Sequence, residues 1–190
     1  MKVIIDTNSL LSLVRYYLPF DKENLLFNFI KEKIEIGEII IIDKVYEQCT
    51  YNAKGLILKQ LAFLTDKSFL KKSKTPYKTD SLIAPSPAKF LRMVENQFVV
   101  GVQRKKINDV EFEVKKNQHL EDADIKLIVL CLNLIKNGEN VYLVTEETTG
   151  SNDNKLFVKI PVMCRELSIK CITLPKLIKL YLDDFELHFK

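Results

Sequence analysis

Four short, largely apolar runs constrain this chain more than any other feature: Val3-Ile4-Ile5, Ile39-Ile40-Ile41-Ile42, Val141-Tyr142-Leu143-Val144 and Ile169-Lys170-Cys171-Ile172. Each is too short for a helix, and most place apolar residues on both faces of an extended chain, the pattern of strands buried within a parallel sheet. Longer stretches with apolar residues at helical spacing separate them. Strands alternating with helices predict an α/β protein, a three-layer α/β/α sandwich around a central parallel sheet of four to five strands. In such open sheets, ligands bind in the crevice beyond the carboxyl ends of the strands.

Those carboxyl ends are acidic. The first run stops on Asp6, followed by Thr7-Asn8-Ser9. The second stops on Asp43, with Glu47 in the first turn of the helix that follows, and the third stops on Thr145-Glu146-Glu147. Glu121-Asp122-Ala123-Asp124 opens another helix, and carboxylates packed this closely repel one another unless they share a cation. Asp6, Glu47, Asp124 and Glu147 are therefore expected along one edge of one sheet. Each also has a purely structural use. Asp6 or Asn8 suits a helix N-cap, and Glu47 or Asp124 in a first turn is favoured by the helix dipole. If the acids do gather, an oxygen-only cluster suits hard cations such as Mg²⁺ or Mn²⁺. Such ions make hydroxide from water and stabilise the charge that builds on a phosphate during displacement.

The helices are expected as follows. One runs from Ser9 to Tyr17 and is ended by Pro19. Asp21 opens the next, with Leu25, Leu26, Phe29, Ile30 and Ile34 as its stripe and Gly37 as its end. Asp43 caps a third, whose pattern continues to Leu64. Thr65 to Pro87 reads as an extended loop pinned by Phe69 and Leu82. Helices begin again near Pro87 and at Glu121, the latter closed by Asn137-Gly138. Lys105 to Gln118 fits both alternation and helical spacing and is read as helix. The last helices follow Ile160-Pro161 and run from Leu174 to Leu182.

At 190 residues the chain fits one domain, 1–190, with a basic, partly irregular segment at about 65–118. No apolar run approaches the roughly 20 residues that span a bilayer, and the N-terminus lacks a signal-peptide apolar region. Cys49, Cys131, Cys164 and Cys171 are scattered without a Cys-x-x-Cys pair, which predicts reduced thiols in a cytoplasmic protein. A zinc site from Cys164, Cys171, His119 and His188 has no supporting spacing. With five glycines, neither a dinucleotide-binding nor a phosphate-loop fingerprint is present. From Lys54 to Lys116 there are 14 Lys/Arg against 6 Asp/Glu, whereas the remainder holds 15 against 19. A basic middle beside an acidic site suits a polyanion, with Lys71, Lys72, Lys74, Arg104, Lys105 and Lys106 as candidate phosphate contacts. A solvated lysine-rich surface would read the same way.

Ile4-Ile5-Asp6-Thr7-Asn8 followed by two leucines resembles the opening motif of PIN-domain nucleases, the family of VapC-type toxins. Val45-Tyr46-Glu47 resembles that family's second acid and Ala123-Asp124 its third. Val144-Thr145-Glu146-Glu147 resembles its Thr-x-Asp element, with glutamate in place of aspartate. Ile160-Pro161, Cys164 and Ile169 to Ile172 resemble an uncharacterised bacterial PIN-like branch. The resemblance implies a metal-dependent endoribonuclease, with Asp6, Glu47, Asp124 and Glu147 as catalytic Mg²⁺ or Mn²⁺ ligands, and Thr145, Asn8 and Asp122 orienting them. It implies an RNA substrate and admits a small antitoxin protein and a homodimer as partners, with no membrane. The alternative from another class is a catalytically inactive PIN-like module that binds RNA or protein.

Overall fold

The four apolar runs form one sheet. In the computed structural model, which describes residues 1–150 and 154–181, the strands are β1 (Lys2–Ile5), β2 (Ile39–Ile40), β3 (Val141–Val144) and β4 (Lys170–Ile172). Their order is β2-β1-β3-β4 and every pairing is parallel, with Ile4 opposite Ile40, Ile5 opposite Val144, and Val144 opposite Ile172. Val3, Ile4, Ile5, Leu143 and Val144 are fully buried, as strands covered on both faces must be.

Strand order fixes where the helices lie. From β1 the chain moves one way to β2, through α1 (Thr7–Ser12) and α2 (Leu25–Glu35). From β3 it moves the other way to β4, through α10 (Ile160–Glu166). Right-handed crossovers in opposite directions put α2 and α10 on opposite faces. Between β2 and β3 come α3 (Asp43–Tyr51), α4 (Leu56–Gln60), α5 (Lys67–Ser73), α6 (Pro87–Asn96), α7 (Gly101–Arg104), α8 (Asp109–Glu121) and α9 (Ala123–Lys136), and α11 (Leu174–Leu180) follows β4. The protein is a three-layer α/β/α sandwich. Helix α9 packs on β3 and α10, and is buried from Ile125 through Cys131, a central helix rather than a surface one. On the α2 side, Phe29 meets Tyr181 edge-on at 4.9 Å, and the Tyr181 hydroxyl donates to Glu38 at 2.8 Å. Among the described residues no helix is long and apolar enough to cross a membrane.

Several local expectations are corrected. The first helix ends at Ser12 and continues as a wider π turn over Leu13–Tyr17 and a 3₁₀ turn over Leu18–Phe20, so Pro19 sits inside a turn instead of stopping a helix. Asp21 does not open α2. Its carboxylate accepts from Phe27 N at 2.9 Å, while the helix starts at Leu25 after Asn24 adopts a left-handed conformation. The second strand is only two residues long. Ile42 instead pairs with Tyr77, and Asp43 accepts from Thr79 N at 2.8 Å and Thr79 Oγ at 2.6 Å, so the 75–79 loop is strapped to the sheet edge. The helical run after Asp43 breaks at Ala53 and Lys54, both left-handed. The expected loop from Thr65 contains α5, whose first turn is capped by Asp66 accepting from Ser68 N at 2.7 Å. The helix read over Lys105 to Gln118 is found from Asp109 onward, with Asn108 as its cap. His188 and the end of the last expected helix lie outside the described residues.

Candidate acidic site at the strand ends

The chain winds one way from β1 to β2 and the other way from β3 to β4, so the carboxyl ends of β1 and β3 are the switch point at which open α/β sheets place a crevice. Asp6 and Thr145 are the first residues past those two strands, held there by Asp6 N donating to Val144 O (2.9 Å) and Thr145 N donating to Ile172 O (3.0 Å). Both are buried, at 4% and 1% exposed. Thr145 Oγ1 donates to Asp6 Oδ2 at 3.1 Å, and Thr7 N donates to Asp6 Oδ1 at 2.7 Å. The same Thr145 oxygen accepts from Glu147 N at 3.2 Å. One threonine thus ties the first acid to the segment bearing the last.

Asp6 occupies the N-cap position of α1, so its structural use is real. It does not account for the electrostatics. Burial pushes the Asp6 carboxyl up to about 6 against the bonds from Thr145 and Thr7, and the charge of Glu147 raises it further. Asp124, the second residue of α9, is pushed up to about 7, first by burial and then by the charges of Glu147 and Asp6; Lys155 opposes this. Residues separated by more than a hundred positions in the chain therefore feel one another as like charges at one edge. Asp6, Asp124 and Glu147 are the acids brought together.

Glu147 is also fastened on its far side. Its Oε2 accepts from Ile160 N, the first residue of α10, at 3.0 Å, and its Oε1 lies 4.0 Å from Lys155 Nζ. Glu146 does the same for α11, accepting from Leu174 N at 2.7 Å. The two adjacent glutamates cap two different helices. The sequence does not reveal this, because the partners lie 13 and 28 residues away.

Glu47 is exposed on α3, next to Gln48, which accepts a hydrogen bond from the hydroxyl of Thr7, the residue after Asp6. Asn8 is exposed. Asp122 sits at the N-cap of α9 but pairs with His119 Nδ1 at 3.4 Å. His119 is buried and stacked on Phe157, with ring centroids 4.1 Å apart.

The basic candidates divide. Lys72 pairs with Glu35, the last residue of α2, at 3.0 Å. Helix α2 leads back toward the start of β2, so this pair marks the edge opposite Asp6, and Lys71 and Lys74 share that short helix end. Arg104 is engaged locally: it donates to Ile107 O at 3.0 Å, pairs with Asp109 and stacks on Phe112. Lys105 and Lys106 are exposed at the end of α7.

Residues 3–181 match the family described as a domain of unknown function, DUF4411. The chain belongs to the DUF4411 family. The match runs from β1 through α11 and takes in all four acids. No curated protein and no solved structure matches this DUF4411 chain. Its acids offer oxygen donors alone, the set a hard divalent cation prefers. Among the described residues no three acid, histidine or cysteine side chains already converge as a closed metal group. In this DUF4411 domain, Asp6, Asp124 and Glu147 lie at one edge of the sheet without closing into a cage.

Proposed function

We propose that this protein is a metal-dependent endoribonuclease of PIN type, hydrolysing RNA phosphodiester bonds at the crevice between β1 and β3. The observation that carries the reading is geometric: at the switch point of a parallel sheet, the Thr145 hydroxyl donates to buried Asp6 and accepts from Glu147 N, and Asp124 lies where burial and the charges of Glu147 and Asp6 raise its carboxyl pKa. Helix caps do not need to face one another; ligands of a shared cation do. Asp6, Asp124 and Glu147 would hold Mg²⁺ or Mn²⁺, with Glu47 joining them as the resemblance implies. The bound ion would supply a water of lowered pKa and charge stabilisation at the phosphate.

The chain's own residues have separable tasks. Thr145 holds Asp6 in place and joins it to the Glu147 backbone. Burial of Asp6 and Thr145 keeps bulk water from the inner wall. The family resemblance adds a role as toxin of a toxin–antitoxin pair, with a small protein partner.

A second reading, a PIN-like module that binds RNA without cutting it, is favoured by the exposed Glu47 and by the tie of Glu147 to α10. End-mapped cleavage of total cellular RNA, in Mn²⁺ and in chelator, separates the two. The nuclease reading expects discrete new ends only with Mn²⁺, and none from the Asp6→Asn variant. Retained RNA binding with no metal-dependent ends would establish the binding module instead.

A further inference from the structure

Lys155 approaches the acidic edge from a strap that the rest of the chain takes care to fasten. Residues 154–158 lead into α10, and Phe157 forms an antiparallel bridge with Val99. Val100 N donates to Leu156 O and Val158 N donates to Phe98 O, both at 2.8 Å. The Phe157 ring is stacked on His119, and Gln103 Nε2 donates to Asn154 Oδ1 at 3.3 Å. His119 comes from α8, which a buried lysine holds in place: Lys116 Nζ lies 2.8 Å from Glu95 of α6. The strap is thus anchored on both sides of Lys155 by the segment between Phe98 and His119, whose basic composition had suggested only a surface for polyanions.

The anchoring aims one cation at the acids. Lys155 Nζ lies 4.0 Å from Glu147 Oε1, and its charge also acts on Asp124 and His119. Its side chain is 57% exposed, against 14% for Glu147, so the ammonium lies on the solvent side of the acid. Three ionised carboxylates and one ammonium sum to −2, the charge that a single divalent ion neutralises without expelling the lysine. A strand arriving from solvent would then meet the ammonium before it meets the acids.

We infer that Lys155 is a phosphate-positioning residue, pairing with Glu147 in the resting protein and with a non-bridging phosphate oxygen of the bound strand in the complex. The inference rests on the reading of this edge as a metal-dependent RNA site. It differs from a plain surface ion pair, which would contribute little and have no ligand.

The test uses the full chain carrying Asp6→Asn, in chelator so that no metal is involved, with a fluorescein-labelled 20-nucleotide RNA followed by anisotropy across a salt series. Adding Lys155→Gln should weaken binding about tenfold, as for loss of one charged hydrogen bond. It should also reduce the log–log salt slope by about 0.7, the change for one single-strand phosphate contact. Lys155→Arg should restore both. In the otherwise unaltered chain, calorimetric titration should show Mn²⁺ bound by Lys155→Gln as tightly as by the parent or more tightly, because a neighbouring cation is gone. RNA affinity unchanged by Lys155→Gln, or no RNA binding by the Asp6→Asn chain at all, overturns the inference. So does a loss of RNA affinity accompanied by weaker Mn²⁺ binding and a lower melting temperature, which would make Lys155 a structural brace. Failure of the parent to cut RNA bears on the nuclease reading alone, since the anisotropy does not depend on cutting.

Discussion

Replacing Asp124 by asparagine should stabilise the metal-free protein at neutral and alkaline pH, and the size of the effect follows from the site. The Asp124 carboxyl rises from 3.8 to about 7 on folding, through burial and the charges of Glu147 and Asp6. At 1.36 kcal/mol per tenfold, keeping it ionised at pH 8 opposes folding by roughly 4 kcal/mol. Asparagine keeps the volume and removes the charge, though its amide is still desolvated, so a gain of about 2–4 kcal/mol is expected at pH 8. For a chain of this size that is roughly 5–15 °C in melting temperature. The sign is set by linkage. A carboxyl with a raised folded-state pKa gives its full contribution below pH 3.8, and that contribution is lost as pH rises through 7. The advantage of Asp124→Asn should therefore be near zero at pH 3.5, grow through pH 7 and level off above it. Thermal melts of parent and variant in chelator, from pH 3.5 to 8, measure the difference directly. An Asp124→Asn protein less stable than the parent at pH 8 would refute the reasoning. It would mean that Asp124 is a first-turn anion stabilised by the α9 dipole, not one member of a repelling set.

Other substitutions probe the supports. Thr145→Val removes the hydroxyl that donates to Asp6 and accepts from Glu147 N; it should cost about 1–3 kcal/mol in chemical denaturation and move the acidic limb of the cleavage pH profile upward. Glu146→Ala removes the acceptor at the start of α11 and should cost about 0.5–2 kcal/mol, leaving the cleavage rate per folded molecule unchanged. Neutralising Lys71, Lys72 and Lys74 together should leave the salt dependence of RNA binding unaltered, because Lys72 is tied to Glu35 at the opposite edge of the sheet. A reduced slope would place those lysines on the RNA path.

Strand ends are legible in sequence because burial on both faces leaves no polar residue until the chain exits. That is why the positions of Asp6, Thr145 and Glu147 could be read from where two apolar runs stop. Asp124 was equally visible, since the helix it opens is apolar almost all round. Glu47 was placed on its helix, but helical periodicity leaves its facing to the tertiary packing of α3. Helix α5 was hidden by its lysines, although Asp66 three residues before the buried Phe69 was a readable cap. Lys155 carried no signal, because it follows the turn-like Gly150-Ser151-Asn152-Asp153-Asn154. Its role depends on a bridge to Val99 that no local pattern announces.

The central claim is that the acidic edge takes up a divalent cation. Calorimetric titration of Mn²⁺ into the parent, Asp6→Asn and Asp124→Asn proteins at pH 8 tests it most directly. Saturable binding to the parent is expected, with a rise in stability of about 2.7 kcal/mol at a hundredfold excess over the dissociation constant. Both variants should lose most of that binding while remaining folded. Binding that is absent in the parent, or equally strong in all three proteins, would contradict the account and leave the acids as helix caps.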